Sequence, residues 1–407
     1  MSTPAVVEAP AAAPDPALAE LRVALLSPCT WPEVRRGAER MFRDLAAGLI
    51  RRGHQPWLIT SHPDRPQATV ENGLEVTRNW RPPDGRLRRR GYEEHLTHVP
   101  GTYMSLRRGR ADLAHASHAP DAVAAGRWSR ERGRPAIFSF MGIPDRQWLV
   151  AKRLRLEFVV RAVRDCQAVV ALSRHAQEAF HTTLGVRARV IYPGVDTRAF
   201  TPGGERSEAA SILCVAPPEV PEKRVGLLVA ALGRVRRERP GTVLVLQRPR
   251  DPAVGERLAR EPGVQLMDSD PALLAGAYRR AWVTALPSSS DAFGLVLAES
   301  LACGTPVVGS DRGGIPEVID RPEIGCMFAR EDPADVARAL VDGLDVAGEP
   351  SSARACRARA EELSLERCVE SYERLYRELL GEGERVASGV PAAGPTGAGA
   401  SAEAPGA

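Results

Sequence analysis

Residues 287–317, Pro-Ser-Ser-Ser-Asp-Ala-Phe-Gly-Leu-Val-Leu-Ala-Glu-Ser-Leu-Ala-Cys-Gly-Thr-Pro-Val-Val-Gly-Ser-Asp-Arg-Gly-Gly-Ile-Pro-Glu, decide how the rest of the chain is read. An apolar run, Ala281 to Leu286, leads into this stretch and stops at Pro287 and a serine cluster. That pattern is a buried strand ended by turn chemistry. Phe293, Val296, Leu297, Ser300 and Leu301 then recur at helical spacing, and Gly304 supplies a C-terminal stop. Pro306 to Gly309 forms a second short apolar strand. Strand, loop, helix and strand make a βαβ crossover, which sets the strands parallel with the helix on one face.

The loop 288–292 feeds the start of that helix. Amides of Gly294 and Leu295 are expected to point outward beside the positive end of the helix dipole, a ready position for phosphate. Glu299 lies four residues after Leu295 and shares its helix face. Its neighbours Val296, Leu297 and Leu301 read as buried, so this carboxylate needs hydroxyl or amide partners.

The same stretch resembles the donor-binding motif of retaining glycosyltransferases of family 4, which have the GT-B fold. The family pattern is two glutamates separated by seven residues with Phe-Gly between them, then Ala-Cys-Gly-x-Pro-Val-Val and Gly-Gly-x-Pro-Glu. Here Asp291 takes the first acidic position, Phe293 and Gly294 follow, and Glu299 takes the second. Residues Ala302 to Val308 and Gly313 to Glu317 continue the pattern. The resemblance implies that Glu299 holds the ribose hydroxyls of a nucleotide and that Asp291 contacts the donor sugar. Aspartate is one methylene shorter than glutamate, which places the sugar contact in question.

With 407 residues the chain has room for two domains. Its net charge of +4 is carried mostly by arginine, which suits an anionic substrate or surface. Seven cysteines are scattered without a Cys-x-x-Cys pair, so neither a zinc site nor a disulfide framework is indicated and a reducing, cytoplasmic setting is expected. No apolar run reaches the length of a membrane helix. Residues 1–20 lack the features of a signal peptide and, like 381–407, read as disordered tails.

A first domain is expected over residues 21–200. Arg22 to Ser27 reads as a strand, Gly37 to Arg52 as a helix and Pro56 to Thr60 as the next strand. The arrangement is Rossmann-like but lacks Gly-x-Gly-x-x-Gly, so no dinucleotide site follows. It resembles the family's opening, in which a Gly-Gly-x-Glu loop faces the donor phosphate and the acceptor. Arg36 replaces the first glycine, while Gly37, Ala38 and Glu39 remain. The Arg-rich stretch 81–110 reads as a solvated loop, with a membrane-surface or acidic-acceptor patch as the alternative. No recognition motif accompanies this charge, which argues against nucleic acid. A strand over 136–140 ends at Met141, where the family commonly carries histidine. His115 and His118 are placed in the preceding loop, and a continuous helix is expected over 148–163.

Residues 201–210 read as a hinge and 211–364 as a second Rossmann-like domain. In the family, the loop after its first strand carries Gly-Arg and a later lysine that together clamp the donor diphosphate. Lys223 fits the lysine, Ala216-Pro217 replaces Gly-Arg, and Arg224 is the candidate substitute guanidinium. A lysine at a helix start is otherwise disfavoured unless an anion binds nearby. Asp268-Ser269-Asp270 spells the manganese motif of a different glycosyltransferase fold; Asp270 reads instead as a helix cap, and no metal is expected. The helix 365–380 is expected to cross back to the first domain, as the resemblance implies.

The expected architecture is therefore α/β, two Rossmann-like domains facing across a GT-B cleft. The resemblance implies a metal-independent hexosyltransferase that uses a UDP- or GDP-type sugar as co-substrate, retains anomeric configuration and holds no tightly bound cofactor. The catalytic candidates are Lys223 and Asp291. The donor-binding candidates add Arg224, Phe293, Gly294, Leu295, Glu299, Gly37 and Ala38. A catalytically degenerate partner protein and a nucleotide-sugar epimerase are the alternatives. Asp291, Pro217 and Met141 are the departures that favour the former. The acceptor is an unidentified small molecule, lipid or glycan, and a peripheral contact with the inner membrane face is a further expectation.

Overall fold

The computed structural model describes residues 19–34, 37–268 and 270–381. Most of both expected tails, together with Arg36 and Ser269, lies outside the described residues. In the first half, β1 (Arg22–Leu26), α1 (Gly37–Arg51), β2 (Gln55–His62), β3 (Gln67–Glu71), β4 (Leu74–Trp80), α2 (Gly85–Arg89) and α3 (Val99–Arg108) come first. They are followed by β5 (Leu113–Ala116), α4 (Ala119–Arg132), β6 (Ala136–Phe140), α5 (Arg146–Val150), α6 (Arg155–Asp165), β7 (Ala168–Ala171), α7 (Arg174–Leu184) and β8 (Arg189–Val190). The strands form one sheet in the order β3-β4-β2-β1-β5-β6-β7-β8, parallel except where β3 pairs with β4.

The second half contains β9 (Ser211–Cys214), α8 (Val225–Glu238), β10 (Val243–Gln247), α9 (Pro252–Ala259), β11 (Val264–Met267), α10 (Pro271–Arg280) and β12 (Val283–Leu286). Then follow α11 (Leu295–Ala302), β13 (Val307–Ser310), β14 (Gly325–Phe328), α12 (Pro333–Gly348), α13 (Ser352–Glu362) and α14 (Leu365–Leu379). Its sheet is fully parallel, in the order β11-β10-β9-β12-β13-β14. Strands buried on both faces, such as β9, β12 and β13, explain the unbroken apolar runs in the sequence. Strand order reverses between β1 and β5 and between β9 and β12, and these switch points are where a parallel sheet opens a crevice at its carboxyl ends.

The structure differs from the sequence reading of the first half at several points. The β3–β4 hairpin was not anticipated, although Asn72-Gly73 carries the positive φ values, 51° and 80°, of a tight primed turn. The Arg-rich stretch is not a loop: it contains α2 and α3. Leu106 of α3 is fully buried while its arginines face outward, so only a narrow apolar stripe betrays the helix. The helix expected over 148–163 is two helices. Leu154 adopts φ 64°, and the Arg153 amide donates to the Gly91 carbonyl at 2.8 Å, which draws the chain out of helical register.

The last helix packs on the first half. Tyr376 and Ser139 hold the two ring nitrogens of His115 at 2.7 and 2.6 Å, and Tyr372 lies 3.0 Å from the Ser139 hydroxyl. His115 is therefore in strand β5, not in the following loop, and burial pushes its imidazole down to about 3, so it stays neutral. Gly48 of α1 is where α14 comes closest: a Cβ there would lie 2.3 Å from a Val369 methyl. Gly48→Ala should therefore destabilise the fold by about 1–3 kcal/mol. Gly233, exposed within α8 with nothing within 4 Å of its Cβ position, should give the opposite sign on the same substitution, about 0.5–1 kcal/mol of stabilisation. Denaturant melts of the two variants check both signs.

Candidate functional site

Two loops of the second domain meet at its switch point. The turn Pro221–Lys223 follows β9, and residues 287–294 follow β12. They are stitched together by the Ser289 amide, which donates to the Glu222 carbonyl at 2.8 Å, and by the Ser288 hydroxyl at 3.2 Å from the same oxygen. This places the Lys223 ammonium 2.6 Å from the Asp291 carboxylate. Gly313 and Gly314 press on the second loop from beneath. A Cβ at either position would come within 2.3 Å of the Asp291 or Ala292 carbonyl, so only glycine fits there.

The amides expected to face outward are not all free to do so. The Gly294 N–H donates to Asp291 Oδ1 at 2.7 Å and the Phe293 N–H to the same oxygen at 3.2 Å. A carboxylate on a short arm folds back onto amides two and three residues on. The outward-pointing Gly294 amide is thus corrected: it turns inward onto Asp291, which also pairs with Lys223, just ahead of the first turn of α11. Phe293 is buried at 2% exposure, its ring centroid 5.6 Å from that of Tyr192, so it anchors the loop between the domains. Leu295 opens α11 behind Gly294, which takes φ 94°. The guanidinium of Arg224 donates to the Pro287 carbonyl at 3.0 Å and pairs with Glu331, bracing the two loops from behind Lys223.

Glu299 is in a different setting from this loop. It is only 2% exposed. One oxygen accepts the Tyr278 hydroxyl at 2.8 Å and the other meets the Arg40 guanidinium at 2.7 Å. Arg40 belongs to the first turn of α1 in the other domain, beside Gly37 and Ala38, and its guanidinium stacks 5.1 Å from the Phe200 ring. Burial raises the Glu299 carboxyl, against the opposing pull of Arg40 and the Tyr278 hydroxyl. Arg40 is the residue that sequence reasoning missed. The signal was present, because a cation in the first turn of a helix is unfavourable unless an anion lies near, the argument already applied to Lys223.

A second bond joins the domains. Glu317 accepts the amides of Arg174 and His175 at 2.9 Å each, at the start of α7, and the Tyr192 hydroxyl at 2.8 Å. The Glu of Gly-Gly-Ile-Pro-Glu thus neutralises a helix terminus of the facing domain. Asp270 caps α10 through the Ala272 amide at 2.9 Å, and Asp268 pairs with Arg248 at 2.8 Å, so the two carboxylates are separately engaged. A surface hollow of about 530 Å³, lined by Arg22, Arg110, Arg132 and Arg134, lies by the amino end of β1. It is at the opposite end of the sheet from the carboxyl ends where ligands of such sheets sit.

Asp44, one turn beyond Arg40 and 3.6 Å from it, is raised to about 6 by burial, with Arg40 opposing. A carboxyl raised in the folded state stabilises through its proton: the contribution is present below the ordinary carboxylate range and lost as pH rises through about 6. Asp44→Asn should therefore melt higher than the parent at neutral pH and lose that advantage well below the folded value. A difference between the two melting temperatures that does not change with pH would assign Asp44 no part in this.

Residues 35–199 match the family model for Glycosyltransferase Family 4, and residues 209–345 match that for Glycosyl transferases group 1. The D-inositol 3-phosphate glycosyltransferase of Corynebacterium jeikeium is 31% identical over 243 residues, 48% of this chain and 53% of that protein. The chain spans about half the length of the curated relatives it matches. Sucrose-phosphate synthase from Thermosynechococcus elongatus has a TM-score of 0.75 at 20% identity, over 89% of this chain and 100% of that one. Anabaena HepE in complex with UDP and glucose has a TM-score of 0.66 at 18% identity, over 88% of this chain and 100% of that one. These two likenesses concern the fold. Two facing parallel α/β domains with this switch-point geometry, matched in both halves, make the chain a member of the family 4, group 1 glycosyltransferases with the GT-B fold.

Proposed function

We propose that this protein transfers a sugar from a nucleotide-diphosphate donor to an acceptor, with the donor held by the second domain. The observation that carries the reading is the junction of Lys223 with the loop 288–294 at the carboxyl ends of β9 and β12. Breaking the sugar–phosphate bond leaves a diphosphate with growing negative charge, and stabilising it is the main electrostatic task. Lys223 is one of two lysines in the chain, with its side chain about a quarter exposed, and it stands where that charge would form. Its present partner is the Asp291 carboxylate, which a diphosphate would displace as the stronger anion. Asp291 then keeps its hold on the Gly294 amide through Oδ1 and turns Oδ2 to a sugar hydroxyl. Arg224 braces this assembly; Glu299 is the ribose partner, held by Arg40 and Tyr278 in a single orientation.

The proposed donor is a UDP- or GDP-sugar, the sugar a hexose, and the transfer proceeds with retention and without a metal ion. HepE, which is described with UDP and glucose, supports the donor class. No pair of carboxylates is proposed to act as in a retaining hydrolase; the leaving phosphate takes the acceptor proton on the same face. Contacts between the domains through Arg40 and Glu317 would exclude water from the donor while it reacts.

One observation favours a second reading, a partner protein that kept the fold and lost the chemistry: Lys223 and both oxygens of Glu299 already have partners within the protein. Titration calorimetry with a panel of UDP- and GDP-sugars separates the two, since a scaffold binds none. Lys223→Ala should lower kcat/KM about 100- to 1000-fold, the loss typical of one oxyanion donor; turnover within a few-fold of the parent removes Lys223 from the mechanism. Glu299→Gln should weaken the nucleotide roughly tenfold or more, as a charged hydrogen bond to ribose becomes neutral. Unchanged nucleotide affinity in the calorimeter would end its role as the ribose partner.

A further inference from the structure

Large apolar side chains are exposed in one short segment of the first domain. Trp148, Val150, Leu154, Leu156 and Val160, at 37, 69, 43, 41 and 45% exposure, are half of the large exposed apolar residues among those described. They lie on α5, on the break after it and on α6. Leu156 and Val160 are one helical turn apart and share the outward face of α6, while Val159 and Ala162 fill its inward face. The left-handed conformation of Leu154 presents its side chain in the break between the two helices.

Arginines surround this segment. Arg88, Arg89 and Arg90 end α2 and are exposed, as are Arg153, Arg161 and Arg164; Arg88 pairs with Glu94 at 3.2 Å and Arg164 with Asp165 at 2.8 Å. The α2 end and the helix break are tied together by the Arg153 amide on the Gly91 carbonyl at 2.8 Å, by Arg153 over the Tyr92 ring at 5.7 Å and by the Arg155–Glu93 ion pair. Arg155 also stacks on Trp148 at 3.9 Å. The apolar residues are thus mounted on a braced platform, and Glu157, paired with Arg161 at 2.6 Å, is the acidic side chain of its outward helix face.

We propose that α2 and α5–α6 form a docking surface for an anionic lipid bilayer. Apolar side chains ringed by arginine enter the headgroup boundary while the guanidiniums meet lipid phosphates, the arrangement by which amphipathic helices bind membrane surfaces. A second copy of this chain fits the surface less well, because a two-fold contact would set one arginine ring against the other. Helix α5 follows β6, whose carboxyl end opens on the crevice. A bilayer on this face would lie beside the crevice mouth, within reach of a membrane-borne acceptor.

Co-sedimentation of the full chain with vesicles tests it. Vesicles of phosphatidylcholine with about one third phosphatidylglycerol should capture the protein at least tenfold more tightly than phosphatidylcholine alone, with the difference shrinking in high salt. Val150→Asp with Leu156→Asp should abolish capture at an unchanged melting temperature, and Arg89→Glu with Arg90→Glu should remove the preference for the anionic lipid. Absent or equal capture by both vesicles, or variants that bind like the parent, would overturn the proposal. So would sedimentation velocity showing a lipid-free dimer that the Val150 and Leu156 substitutions dissolve, since the surface would then belong to a second copy.

Discussion

The buried carboxylate of Glu299 depends on both domains at once. A carboxyl group at 2% exposure needs a full set of partners, and the second domain alone supplies one hydroxyl, from Tyr278. The other partner is Arg40, delivered by the first turn of α1. Such pairs add little to net stability compared with an apolar pair, yet losing one partner strands the other. The ion pair therefore acts as a registration device. It ties the middle of α11 to the first turn of α1 and so holds one side of each domain against the other.

The loop that carries Lys223 and Asp291 follows the same logic at smaller scale. A cation at a helix approach is paired with an anion that also holds the loop amides leading into the next helix, so each charge offsets the other's burial. The glycine pair at 313–314 allows the supporting chain to approach closely enough to hold this loop. On the opposite side Glu317 extends from the same segment to the amides of α7. One stretch of chain, 287–317, thus supplies the capped loop, the buried acid and a second bond to the facing domain. Substitutions in it would be felt in domain closure as well as in the local site.

Much of this was legible in the residues. Strand β6 was read to the residue, because a short apolar run between a proline and a glycine turn leaves little freedom. Legibility failed where the signal was not a run. The Asn72-Gly73 hairpin has half-exposed strands, α3 hides behind arginines, and the break at Leu154 is imposed by a bond to Gly91, which is distant in sequence. At the site, Lys223 and Asp291 could be placed on adjoining loops from sequence. The inward turn of the Gly294 amide and the bracing posture of Arg224 could not, since both depend on where a neighbouring loop sits.

Local pattern alone determined most of the alternation of strands and helices and the parallel run of the strands joined by βαβ crossovers, because periodicity, caps and turns act over a few residues. Tertiary structure decided which charges meet. Arg40 reaches Glu299, Glu317 reaches the start of α7, and Tyr376 closes on His115, in each case across more than a hundred residues of chain. Those pairings follow from how two folded domains dock, and a one-dimensional pattern has no term for the distance between side chains that become neighbours after both domains have formed.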